Sequence, residues 1–161
     1  MPQFLADYII TYGYLAIFCL ILLQELGMPG LPNELMLLYF GYTGHKAGLS
    51  YIIVAGLSVL ADMTGSFLLY LLFYYGKNFL SKIKPRWLPL PLKKIGSLRQ
   101  KITAQNGRHI FIAKLTPFVR SYLPVAAGLL QVEPVLYGRI ILLTAFIWSG
   151  GWVTAGWLLH F

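Results

Sequence analysis

Apolar stretches of bilayer-spanning length fill this sequence almost end to end, with one strongly basic segment between them. Of its 161 residues 58% are hydrophobic and only 11% charged. A soluble domain averages roughly 45–50% apolar and about 25% charged residues. A soluble chain of this length has no interior large enough to hide so much apolar surface, so an ordinary soluble enzyme is excluded. A disordered chain and a disulfide scaffold are excluded too, the latter because there is a single cysteine, Cys19. An all-α integral membrane protein with a single membrane domain over 1–161 remains. The first residues carry Asp7 instead of a basic leader and no small-residue cleavage site follows the first apolar run, so the first helix is expected to stay in the mature protein.

Nine of the thirteen Lys and Arg residues lie from Lys77 to Arg108, and no acid occurs between Asp62 and Glu133. Basic residues near membrane ends stay on the cytoplasmic side, so 77–108 reads as a cytoplasmic loop that sets topology. It could also touch anionic head groups, at about 1 kcal/mol per basic residue. The long apolar spans on either side argue against nucleic acid as partner. Pro85, Pro89 and Pro91 break any long helix there, and Trp87 with its leucines suggests that part of the loop lies in the interface.

Tyr8 to Gln24 is an apolar run with Tyr8, Tyr12 and Tyr14 at one end like an interfacial belt. Glu25 to Gly44 is apolar too, but it holds Pro29, Pro32, several glycines and two glutamates. Broken backbone at membrane depth must be buried in protein or line a wet cavity, so 25–44 reads as a re-entrant hairpin. Leu49 to Tyr75 reads either as one long tilted helix or as a helix interrupted near Asp62. His109 to Leu130 repeats the earlier pattern: it is apolar, yet carries Lys114, Pro117, Arg120, Pro124 and Gly128. It reads as a second hairpin, 109–130. Val135 to Leu159 is a final span with Trp148, Trp152 and Trp157. The halves, 8–76 and 109–160, thus share a plan: a Pro-broken hairpin followed by a transmembrane helix. Counting crossings back from a cytoplasmic loop opens the first hairpin outside and the second inside. Opposed hairpins meeting at mid-membrane are the inverted-repeat arrangement of transporters.

An ionisable residue in a membrane span costs at least about 2.5–3.5 kcal/mol on insertion scales, so each needs a reason. Here they are Glu25, Glu34, Asp62, Lys114 and Arg120, acids first and bases second. One reading is structural, with Glu25 or Glu34 paired to Arg120 to hold the hairpins together. The other is functional. Arg120 and Lys114 would grip a phosphate, and a carboxylate in a low-dielectric site would take up and release a proton. Asp62 either caps a helix break before Gly65 or joins the acidic group. His45 and His109 flank the hairpins at interfacial positions, His160 is terminal, and Cys19 is expected to pack or face lipid. No grouping has metal-ligand spacing, and no nucleophile-elbow, Walker or dinucleotide motif occurs, so neither metal nor cofactor is expected.

These residues resemble the DedA family, the bacterial branch of the SNARE-associated (VTT-domain) membrane proteins. The first hairpin reads E-L-G-M-P-G-L-P-N-E from Glu25 to Glu34, followed by Gly41. A middle stretch reads D-M-T-G-S-F-L-L-Y-L-L-F-Y-Y-G, giving Asp62, Gly65, Tyr70 and Gly76. The second hairpin reads F-I-A-K-L-T-P-F-V-R-S-Y-L-P-V-A-A-G from Phe111 to Gly128, and Ala145 and Trp148 fit the helix after it. The sequence departs from the family pattern at Lys114, where an arginine is usual, and at Ile141 and Thr144, where Asn and Gly are usual. The spacing from Glu25 to Glu34 is shorter than in some members. The chain is short for the family and is expected to lack its final helix.

The resemblance implies lipid translocation in the bacterial cytoplasmic membrane. The substrate would be undecaprenyl phosphate or a phospholipid such as phosphatidylethanolamine, and the proton-motive force would drive transport. Arg120 and Lys114 would bind the phosphate; Glu25, Glu34 and Asp62 would be the proton-responsive acids. Alternatives are a structural protein of the cell envelope and an enzyme acting on lipid phosphate; against the enzyme, it would need a nucleophile or base near the arginine, and no histidine accompanies Arg120 or the acids. A homodimer would help so small a protein to cover its hairpins.

Overall fold

The computed structural model describes residues 3–27, 32–76, 107–117 and 119–159, with side chains from residue 12 onward. Pro29, most of the basic segment (77–106, with Pro85, Trp87, Pro89 and Pro91) and His160 lie outside the described residues. The described residues are helical, with no strand. In chain order the helices are α1 (Gln3–Glu25), α2 (Asn33–Lys46), α3 (Tyr51–Tyr75), α4 (Gly107–Lys114), α5 (Leu123–Leu129), α6 (Pro134–Ala145) and α7 (Gly151–Leu158). A π-helical turn, Phe146–Gly150, joins α6 to α7, so that Pro134–Leu158 is one continuous helical run of 25 residues. That run and α3, also 25 residues, are long and apolar enough to cross a membrane.

The helix boundaries follow local chemistry. α1 stops at Glu25 and is followed by Gly27 at φ 96°, a left-handed conformation that glycine adopts without steric cost. Pro32, at φ −52°, stands immediately before α2, where its missing N–H is no loss. Glu34 in the first turn of α2, and His45 and Lys46 in its last, complement the helix dipole. Pro134 opens α6 in the same manner. No proline interrupts α3, and it runs unbroken through Asp62 and Gly65. The long-helix reading of this segment is therefore the one the structure adopts, and Asp62 is not the cap of a break.

Pro117 lies in the turn after α4, but Pro124 occupies the first turn of α5, where it starts a helix instead of ending one. Gly128 lies inside α5 and is buried. A Cβ at Gly128 would sit 2.6 Å from the Tyr70 carbonyl oxygen. The missing side chain lets α5 approach α3 closely here.

The described residues form two compact units. The first comprises 3–25, 32–65 and 145–159. Its core packs Ile17 and Ile21 of α1, Leu37 and Phe40 of α2, Leu49, Val54 and Ala61 of the α3 segment, and Val153 of α7. Within it α2 and α7 meet backbone to backbone: a Cβ at Gly41 would lie 2.2 Å from the Val153 carbonyl oxygen, and one at Gly156 only 2.0 Å from that of Leu38. Small residues that let backbones touch are how helices associate where lipid removes the hydrophobic drive. The second unit comprises 26–27, 66–76, 107–117 and 119–144. Leu69, Phe73 and Val125 form its core, with Leu26 and Leu129 against them. Tyr70 is fully buried there, stacked on Tyr137 at 4.3 Å between ring centroids, with its hydroxyl donating to the Val132 carbonyl.

Candidate functional site: buried charges and their hydroxyl and amide partners

Along α3, Ser58, Asp62 and Ser66 recur every four residues, and each is fully buried. Four residues is a little over one helical turn, so these side chains share one face. Leu60, Leu68 and Leu72 are exposed. The helix keeps its small polar side chains buried beside core residues such as Val54 and Leu69, and its exposed positions are apolar. Ser58 bonds back to the Val54 carbonyl, while Asp62 and Ser66 reach side chains on other elements.

In the first unit Asp62 accepts a hydrogen bond from the Ser149 hydroxyl at 2.6 Å. Ser149 belongs to the π turn and is itself fully buried. Glu25, 8% exposed, is the last residue of α1. Its Oε1 accepts from the Asn33 side-chain amide at 2.6 Å. Gly65 provides the room: a Cβ there would meet the Glu25 Cβ at 2.6 Å. Glu34 is only half-buried in the first turn of α2. The structure thus gives the acids of this unit different settings: Glu25 and Asp62 are buried and hydrogen-bonded to neutral donors, and Glu34 sits at a helix start.

The second unit holds the two predicted cations. Lys114 closes α4, where the negative end of the helix dipole favours an ammonium. It is 1% exposed, and its Nζ donates to the Ser66 hydroxyl at 2.5 Å. Arg120 is 2% exposed in the tight turns between α4 and α5. Those turns are fixed by backbone bonds from Val119 to Pro117, from Arg120 to Thr116 and from Leu123 to Val119. Burying a charge in an apolar surround is costly unless it is hydrogen-bonded or paired, so two buried cations in so short a segment call for a purpose.

Elsewhere His45 lies edge-on to Trp157 at 4.8 Å between ring centroids, beside the Tyr51–Thr154 hydroxyl pair. His109 and Cys19 are exposed. Asn33, Ser66 and Ser149 were not singled out by the sequence. The four-residue spacing of Ser58, Asp62 and Ser66 was the one available pointer, and it concerned α3 alone.

The VTT domain matches residues 29–158, most of the chain. The chain belongs to the VTT-domain family. This is the family whose DedA branch the two hairpin motifs and the middle stretch resemble. Two relatives are similar along nearly its whole length. One is named undecaprenyl phosphate transporter A, from Staphylococcus aureus (strain NCTC 8325 / PS 47). It is 26% identical, over 97% of this chain and 78% of that protein. The other is named uncharacterized membrane protein YbfM, from Bacillus subtilis (strain 168). It is 27% identical, over 97% of this chain and 93% of that protein. No solved structure matches the chain. Family membership and two helices of spanning length together make this a membrane protein.

Proposed function

We propose that this protein is a flippase that carries a phosphate-bearing lipid across the bacterial cytoplasmic membrane. The observation that carries the reading is the burial of Lys114 and Arg120 in one short segment of a VTT-family chain. Arg120 grips the phosphate through parallel hydrogen bonds, and Lys114 adds a point charge. Undecaprenyl phosphate is the preferred substrate, supported by the name of the Staphylococcus aureus relative; a phospholipid such as phosphatidylethanolamine is the competing one. The head group passes through the protein while the tails stay in lipid. The two Pro-bearing segments act as re-entrant hairpins opening to opposite sides, with the basic segment 77–108 in the cytoplasm. Glu25, Glu34 and Asp62 couple transport to protons. The burial of Glu25 and Asp62 within an apolar chain is what supports this role. The protein works as a homodimer.

The test is translocation in proteoliposomes, comparing undecaprenyl phosphate with phosphatidylethanolamine, with and without a pH gradient, with Arg120→Ala alongside. Movement of undecaprenyl phosphate, accelerated by the gradient and lost in the variant, is the expected result. Equal movement by the wild type and Arg120→Ala overturns the phosphate grip.

A further inference from the structure

Lysine is a poor substitute for arginine in a phosphate site. Its ammonium is a compact charge at the end of a flexible four-carbon stem, and nothing in its own covalent structure fixes a direction of approach. A guanidinium carries its orientation with it, in a planar fork. At position 114 the chain has the lysine, and the structure shows what accompanies it: the Nζ of Lys114 donates to Oγ of Ser66, and both residues are buried within the second unit. Ser66 lies on α3 and Lys114 ends α4, so the bond ties the ammonium to a helix remote in sequence. Ser66 is the last of the buried polar residues at four-residue steps on α3, whose other members, Ser58 and Asp62, belong to the first unit.

We propose that Ser66 is a positioning residue of the phosphate-binding site: its hydroxyl holds the Lys114 ammonium in the direction from which it meets a phosphate oxygen. The bond to Ser66 anchors the ammonium at one side and so restricts the directions from which the group can meet an oxygen. The serine and lysine together thereby supply the fixed geometry that an arginine has in its own fork. The ligand is a phosphate group on a lipid, and the inference rests on the function proposed above.

This role has a signature that a merely structural serine does not share. If Ser66 acts through the orientation of Lys114, it matters only while residue 114 is a lysine. The experiment measures undecaprenyl phosphate translocation in proteoliposomes as a function of lipid concentration for the wild type, Ser66→Ala, Lys114→Ala, Lys114→Arg and Ser66→Ala/Lys114→Arg. Ser66→Ala is expected to raise the half-saturating lipid concentration about tenfold, the effect of losing one hydrogen bond to a charged group. In the Lys114→Arg background the same substitution is expected to change it less than twofold. A Ser66→Ala effect of equal size in both backgrounds makes the serine structural and overturns the proposal. So does an absent effect in the wild type, or an inactive Lys114→Arg protein. If Ser66→Ala fails to give monodisperse protein, Ser66→Cys, nearly isosteric and a weaker partner, carries the same comparison. An unchanged Lys114→Ala protein refutes the cation reading itself, a failure distinct from that of Ser66.

Discussion

Gly156→Ala adds a single methyl group at the tightest approach in the first unit. The new Cβ would stand 2.0 Å from the Leu38 carbonyl oxygen, 2.8 Å from its carbonyl carbon and 3.0 Å from its Cα. Ordinary van der Waals contact begins at 3.4 Å, and the obstructing atoms are helix backbone, not the movable end of a side chain. α7 must therefore retreat from α2 by more than 1 Å, and that retreat loosens the core to which Val153 of α7 and Leu37 and Phe40 of α2 belong. A radial gap of about 0.5–1 Å already forfeits a quarter to a half of each dispersion contact. Overpacking costs about 1–3 kcal/mol where neighbours give way, and here they are held on both sides, so about 3 kcal/mol is expected. For a chain of this size that is a fall of roughly 6–12 °C in Tm. Thermal unfolding of the purified protein in detergent, followed by tryptophan fluorescence, reads it directly. Gly56→Ala is the control: nothing lies within 4 Å of its Cβ position in mid-helix, so it should leave Tm unchanged or raise it slightly. Equal Tm values for the two variants would refute the close-packing argument.

Ser149→Ala removes the donor to a fully buried carboxylate and should cost about 1–3 kcal/mol in the same melt; Asp62→Asn, which keeps an acceptor facing the hydroxyl, should cost less. Asn33→Ala removes the amide bond to Glu25 and should lower Tm by a comparable amount; in the Glu25→Gln background, where the acceptor is no longer charged, the loss should shrink. Tyr70→Phe keeps the ring stacked on Tyr137 but leaves the Val132 carbonyl without this hydroxyl; about 1 kcal/mol is expected, read by the same melt.

Hydropathy and prolines located most of the helical elements because each obeys a local rule. The apolar run up to Gln24 falls within α1, the segment Leu49–Tyr75 holds α3, and the final apolar span is the run Pro134–Leu158. The close approach at Gly128 could not be read locally, because a glycine in a turn and one that admits a neighbouring backbone look alike until the neighbour, here Tyr70, is in place. Asp62 invited a break because a carboxylate in an apolar run is costly. The structure resolves that cost by a hydroxyl 87 residues away instead of by interrupting the helix. Ser66 and Ser149 were invisible for the same reason: a small hydroxyl becomes notable only through its partner, and both partners are distant in sequence. The π turn at Phe146–Gly150 has no local marker beyond Gly150 and the Gly151 that follows it. Lys114 and Arg120 were legible because a charge inside an apolar, proline-broken segment has no bland local explanation.

In the proposed function the phosphate is the part of the lipid that the protein grips. The most direct test is to offer reconstituted protein undecaprenyl phosphate and undecaprenol, which share the same tail and differ only in the phosphate. The wild type should translocate the first and not accelerate the second, and Arg120→Ala should translocate neither. Acceleration of both lipids alike, or full activity in Arg120→Ala, would contradict the account.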